Sequence, residues 1–579
     1  VAAEVHGRAT GASRGFGGSM HLFWKELNFM GGNGIVGGGI PLSLGTAYAA
    51  VKRGTDQVTV VFFGDGASSQ GSFHESLNMA AIEKWPVVFV CENNLYAATT
   101  HVSGNCPIEN IGDRAAAYGI PGIVADGNDL AAVIAAAQTA VARARRGEGP
   151  TLVEFKTYRH RAHCMVIPEH RPNAERAHWR QRDPIELLGA RLIADGVADQ
   201  AELDRIRKQA ARRLEEALAF MRRSPLPDPT DIEKVVFAPG PTVAATPPPQ
   251  GATRKLTPIK AMNEALSEEM QRDENVVLFG EDIGAYGGVW ALSKGLQKKF
   301  GERRVFDTPL SETAIMGTAA GAAMAGLRPV IEIMYVDFMT CCMDPLVNQA
   351  AKIRFMSGGA FSLPMTIIAP CGAGTCEAAQ HSQSLEAWFL NTPGLKVVMP
   401  STAADCKGLL KTSIRDNNPV MFLWHKCLYD LEGEVPEGEW TIPLGQAAVR
   451  REGTDVTLVA YSLMAHRALE AAAKLEGEIS VEVIDPRTLR PFDLDAVLRS
   501  LRKTGRLLVV HESPATCGVG AEIVRQVTDN AFDLLKQAPR IVGGKDLPIP
   551  FAKPLENAVV PQVDDIVTAL RRMIGGCEK

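Results

Sequence analysis

Two hydrophobic patterns alternate along the chain. Short unbroken runs of β-branched and other apolar residues recur, each bounded by glycine, proline or polar clusters, and longer stretches at helical spacing lie between them. The first pattern suits parallel strands covered on both faces; the second suits the helices that return the chain. Val58–Phe63 and Pro86–Cys91 predict two buried parallel strands, with Ser72–Glu83 as the helix between them. Pro41–Lys52 predicts a buried helix of small residues, Ala131–Arg145 an alanine-rich helix and Pro150–Phe155 another strand. Glu186–Ala194 and Asp199–Met221 carry charge at helical spacing and predict surface helices.

Residues 224–258 break this pattern. Ser224-Pro-Leu-Pro-Asp-Pro, Pro239-Gly-Pro and Thr246-Pro-Pro-Pro are too rich in proline for a helix or central strand, and predict an extended spacer. Beyond it come a helix at Ile259–Gln271 and a strand at Val276–Phe279. A tightly packed helix of small residues at Ala314–Leu327 follows, then strands at Pro329–Met334, Pro364–Ala369 and Leu395–Met399. A last module has strands at Val456–Tyr461, Val481–Ile484 and Arg506–His511. The fold class is α/β: two modules with parallel sheets flanked by helices, plus a smaller C-terminal α/β domain. Domain boundaries fall at 1–223, a linker at 224–255, then 256–440 and 441–579.

A length of 579 residues with 46% hydrophobic content suits several domains with large cores. A net charge of −5 offers no footprint for nucleic acid or an anionic membrane. No run reaches the ~18–20 apolar residues of a membrane span. Eleven cysteines without a C-x-x-C pair predict reduced thiols and a cytoplasmic protein, and adjacent Cys341 and Cys342, in an apolar run, read as core. The chain starts at Val1 inside glycine-rich loop material without a signal-peptide pattern, which predicts a further segment upstream.

The chemistry gathers at strand ends. Gly64-Asp65-Gly66 follows the first predicted strand and Asn93-Asn94 follows the second, at the carboxyl ends where open α/β sheets bind ligands. The Asp65 carboxylate and the Asn94 amide oxygen are hard ligands suited to Mg²⁺ held against a phosphate. Gly66 lets backbone approach that phosphate, and the helix start beyond it adds N–H groups and a positive dipole end. The glycine-dense stretch up to Gly39 reads as a binding loop. Tyr158-Arg-His-Arg-Ala-His163 is a polar cluster after a strand, a usual place for function.

Gly-Asp-Gly followed about thirty residues later by Asn-Asn resembles the signature of thiamine-diphosphate (ThDP) enzymes. The likeness extends to Gly17-Gly-Ser-Met-His, Gly32-Asn-Gly-Ile-Val-Gly, Tyr158-Arg and Arg182-Asp-Pro-Ile. It continues in Phe279-Gly-Glu-Asp, Asp307-Thr-Pro-Leu-Ser-Glu, Gln380-His-Ser-Gln and Pro393-Gly-Leu-Lys-Val-Val. The whole is similar to the E1 component of 2-oxo acid and acetoin dehydrogenases, in the transketolase-like superfamily. Residues 8–235 resemble its α subunit and residues 255–575 its β subunit, fused on one chain.

That resemblance implies ThDP and Mg²⁺ as cofactors, with Asp65, Asn94 and the Tyr96 carbonyl on the metal. It places Gly64, Gly66 and Ala67 at the diphosphate, and the Gly34 and Val36 carbonyls and Phe338 against the aminopyrimidine. Glu312 is implied at the pyrimidine N1′, and His381 and His163 in proton transfer at a substrate oxygen, a task suited to imidazole near neutral pH. It further implies a pyruvate-like 2-oxo acid or acetoin as substrate, acyl transfer to a lipoyl group on a separate E2, and a homodimer. The alternatives are a stand-alone carboligase or ketol transferase passing a two-carbon unit to an aldehyde, ketone or sugar, and a non-catalytic scaffold. One departure stands out: the loop that normally reads His-Gly-His-Ser is Arg161-Ala-His-Cys164 here, which removes the serine phosphorylated in some members.

Overall fold

The structure is a computed structural model that describes residues 1–240, 246–247 and 251–575, so part of the proline-rich spacer falls outside the described residues. Two compact units divide the chain. The first is Val1–Ala238 with Thr313–Leu327 and Cys342–Leu363; the second is Pro239–Glu312, Arg328–Cys341 and the chain from Pro364 onward.

In the first unit a four-stranded parallel sheet runs in the order Thr59–Gly64, Val87–Asn93, Thr151–Lys156, Gly122–Asp126. Val88, Val90 and Val153 pack with Ala136 and Ala140 of the helix Leu130–Arg145. The helices Gly39–Arg53, Gly71–Ile82, Pro184–Ala194 and Gln200–Arg223 form where periodicity predicts them. The first strand departs from expectation. It lies at the sheet edge, and Val60 and Phe62 are 42% and 65% exposed, so its apolar run is not buried on both faces. Edge position, which composition does not encode, accounts for the difference. Gly122–Asp126, the opposite edge, was not anticipated because its run is only Ile-Val-Ala.

Two helices of this unit meet through glycine. A Cβ on Gly45 would stand 2.0 Å from the Thr318 carbonyl oxygen, and one on Gly321 would stand 1.9 Å from that of Leu42. The small residues of Glu312–Met324 are thus needed for backbone-to-backbone approach against Gly39–Arg53.

The second unit holds a seven-stranded sheet in the order Thr488–Arg490, Lys396–Val398, Val420–His425, Thr366–Cys371, Arg328–Glu332, Val276–Gly280, Val305–Asp307. It is parallel apart from the antiparallel Thr488–Arg490 edge. A five-stranded sheet orders Ala448–Arg451, Val481–Asp485, Val456–Ala460, Leu507–Pro514 and Arg540–Gly544, antiparallel only at its first strand. Each sheet has its own apolar core.

Two expectations are corrected. The spacer is not extended throughout: Pro229–Asp231 and Glu233–Val235 are 3-10 turns that bury Val235, and Thr253–Leu256 pairs with Gly433–Pro436. Apolar residues at both ends of the proline stretch give it something to pack. Of the adjacent cysteines, Cys342 is buried but Cys341 is exposed. No helix among the described residues is long and apolar enough to cross a membrane.

Candidate active site

In the first unit Asp65 opens a 3-10 turn, Asp65–Ser69, directly after the strand Thr59–Gly64. It is only 1% exposed, and its Oδ2 has no hydrogen-bond partner among the described residues. Burial raises its carboxyl above the ordinary value, against the opposing pull of its own N–H, the Arg159 charge and the Asn94 N–H. An unpartnered buried carboxylate oxygen needs a proton or a cation.

The Asn-Asn pair divides its work. Asn93 turns inward, donating to Glu154 at 2.7 Å and accepting the Leu95 N–H at 3.1 Å. Asn94 accepts the Tyr96 N–H at 3.3 Å, which bends the chain so that the Tyr96 carbonyl follows at once. Arg159 donates to that carbonyl at 3.1 Å and to the Ala98 carbonyl at 2.7 Å. A Cβ on Gly66 would come 2.6 Å from the Ala97 Cβ, so only glycine fits there.

The loop carrying Gly34 and Val36 is held from both sides. Asn33 Oδ1 accepts the Ile35 N–H at 2.9 Å, while a Cβ on Gly34 would stand 2.8 Å from His21 Nε2. Val36 is 60% exposed. His163 lies in an exposed loop between the strand Thr151–Lys156 and the helix Asn173–Arg180.

In the second unit three rings converge. His381 sits edge-on to Tyr335 at 4.8 Å and to Phe338 at 5.4 Å, and Tyr335 and Phe338 are 5.3 Å apart. Lys426 donates to the His381 carbonyl and to Glu377, with its ammonium 5.2 Å from the Tyr335 ring centre. Burial, then the charge of Glu377, pushes the Tyr335 hydroxyl up to about 12, so it stays protonated. Glu312 is half-buried at the first turn of Glu312–Met324.

Comparison with known proteins shows what the chain is similar to. Residues 1–230 match the dehydrogenase E1 component family, residues 254–431 the pyrimidine-binding domain of transketolase and residues 445–566 its C-terminal domain. The β subunit of acetoin:2,6-dichlorophenolindophenol oxidoreductase from Cupriavidus necator is 49% identical over 334 residues, 56% of this chain and 98% of that protein. The chain belongs to the thiamine-diphosphate-dependent E1 dehydrogenase family. The Bacillus subtilis counterpart of that β subunit is 45% identical over 56% of this chain and 98% of its own length. The pyruvate dehydrogenase E1 β subunit of the same organism is 44% identical over 55% and 99%. Among solved structures, an inactive β4 tetramer of a split-gene transketolase matches at 24% identity with a TM-score of 0.45, over 55% of this chain and 98% of that one.

E1 enzymes of this family use ThDP with a divalent metal. The orphaned Asp65 oxygen, the Asn94 amide and the Tyr96 carbonyl are a hard-oxygen set of the kind Mg²⁺ takes. Among the described residues no three His, Cys, Asp or Glu side chains cluster as a metal site, so further ligands here would be phosphate and water oxygens. Sequence reasoning missed Tyr335, Lys426 and the Arg159 bonds. Only Arg159 carried a signal, in its Tyr-Arg pair.

Proposed function

We propose that the protein is an E1 enzyme that cleaves a pyruvate-like 2-oxo acid or acetoin and passes the acyl group to a lipoyl group on a separate E2. The observation that carries this reading is the buried Asp65 carboxylate, with one oxygen unpartnered, beside Asn94 at the carboxyl ends of two parallel strands. Asp65, Asn94 and the Tyr96 carbonyl would hold Mg²⁺. Gly64, Gly66 and Ala67 present backbone to the diphosphate. In the first unit the Gly34 and Val36 carbonyls are candidates for the aminopyrimidine; in the second, Phe338 would stack on that ring and Glu312 would hold a proton at its N1′.

When bound, ThDP supplies the electron sink for breaking the bond next to the substrate carbonyl. His381, its backbone fixed by Lys426 and its ring against Tyr335 and Phe338, would move a proton at the substrate oxygen, and His163 in the first unit is the other imidazole suited to that task. In domain terms, 1–223 is α-like, 224–255 the linker, 256–440 β-like and 441–579 the C-terminal domain, in a cytoplasmic homodimer. The names of the relatives favour acetoin or pyruvate.

The test is a substrate panel on the full chain with ThDP and Mg²⁺, run with a lipoylated acceptor domain, with aldehyde and sugar acceptors, and with an artificial electron acceptor. Lipoyl acylation from acetoin or a 2-oxo acid is the expected result. Carbon–carbon bond formation without lipoyl acylation would make the protein a carboligase instead.

A further inference from the structure

We propose that Arg171 is a positioning residue that latches residues 159–171 into one closed loop and thereby fixes the Arg159 guanidinium on the Tyr96 and Ala98 carbonyls. The Arg171 side chain has no exposed surface. Its Nε and Nη2 donate to the two oxygens of Glu169 at 2.8 and 2.7 Å, a forked pair. The same guanidinium donates to the Arg161 carbonyl at 2.8 Å and to the Arg159 carbonyl. Its flat faces lie 4.8 Å from the Tyr158 ring centre and 5.6 Å from that of Tyr96. Glu169 also takes the N–H groups of His170 and Arg171, and hydrogen bonds from Arg171 hold its carboxyl down at about 2.

Only a planar guanidinium serves a carboxylate, two carbonyls and two ring faces together, which a lysine ammonium cannot. The consequence falls on Arg159. Its backbone is tied on both sides, since Arg171 donates to the carbonyls of Arg159 and Arg161. Its two donated bonds cross the turn at Leu95 and Ala98, both at positive φ (71° and 53°), and hold the Tyr96 carbonyl in position. This inference rests on the reading that puts that carbonyl on the metal.

The experiment compares the full-length wild type with Arg171→Met, Arg171→Lys and Glu169→Gln by two readouts. One is tryptic cleavage after Arg161 in cofactor-free protein, mapped by mass spectrometry; the other is the Kd of ThDP at fixed Mg²⁺. Arg171→Met and Glu169→Gln are expected to speed that cleavage and weaken ThDP by about tenfold each, with Arg171→Lys recovering only part. Cleavage and Kd within about twofold of wild type, or cleavage hastened equally everywhere, would overturn the latch. If Arg171→Met does not fold, Glu169→Gln decides. A wild type that binds no ThDP would defeat the cofactor reading, while the cleavage readout still judges the latch.

Discussion

Asn33 and Gln349 exchange amide hydrogen bonds, at 2.8 and 3.3 Å, across 316 residues of sequence. Asn33 also caps the Ile35 N–H, so Gln349 acts through it on the loop that carries Gly34 and Val36. Gln349 is 2% exposed, and removing it takes from the half-buried Asn33 the acceptor of its amide N–H. Gln349→Ala is expected to lower stability by about 1–3 kcal/mol and to raise the Kd of ThDP. Urea unfolding and cofactor titration check this; an unchanged Kd would detach the loop from the cofactor.

At the helix crossing, Gly321→Ala sets a Cβ 1.9 Å from the Leu42 carbonyl oxygen, and backbone cannot yield cheaply. The expected cost is about 3 kcal/mol or more, seen as a lower Tm or insoluble protein. Gly251→Ala, where an added Cβ meets nothing within 4 Å, is the control, expected to stay within about 0.5 kcal/mol.

Asp65 sets stability against function. Its raised carboxyl pKa means that the folded state binds the proton more tightly than the unfolded one. Stability therefore falls as pH climbs from the ordinary 3.8 through the folded value, and the deficit persists at neutral pH. Asp65→Asn is expected to raise the Tm of the cofactor-free protein at pH 7 to 8 while losing the Tm gain from Mg²⁺ and ThDP. A retained gain would remove Asp65 from the metal site.

A second titration lies in the buried pair His425–Glu512, 2.8 Å apart. Burial alone would lower the His425 pKa, but the Glu512 charge and hydrogen bonds outweigh it and raise it to about 9. The pair's stabilisation is full below the ordinary 6.5 and is lost as pH rises through about 9. Unfolding by urea should show a loss on the order of 3 kcal/mol between those limits, absent in His425→Gln. The same slope in both proteins would contradict the assignment.

The strands and helices were legible where the chain repeats a simple rule. Val87–Asn93, Val276–Gly280 and Val456–Ala460 are fully or almost fully buried strands, and continuous apolar runs announce them. What sequence could not tell was which strand lies at an edge, hence the exposed Phe62, or which glycines meet backbone rather than relax a turn, as Gly45 and Gly321 do. That Asp65, Gly66 and Asn94 follow the ends of two parallel strands was readable because these residues are local to one β–α–β unit. Arg171, Gln349 and Lys426 were not, because each acts through partners that folding brings to it.

In the proposed reaction Glu312 would hold a proton at the N1′ of bound ThDP. The most direct measurement is turnover of acetoin and pyruvate by Glu312→Gln with an artificial electron acceptor, beside the Kd of ThDP for the same variant. The account predicts turnover lower by about 10²-fold or more, with the Kd changed by no more than about tenfold. Turnover equal to the wild type would contradict it.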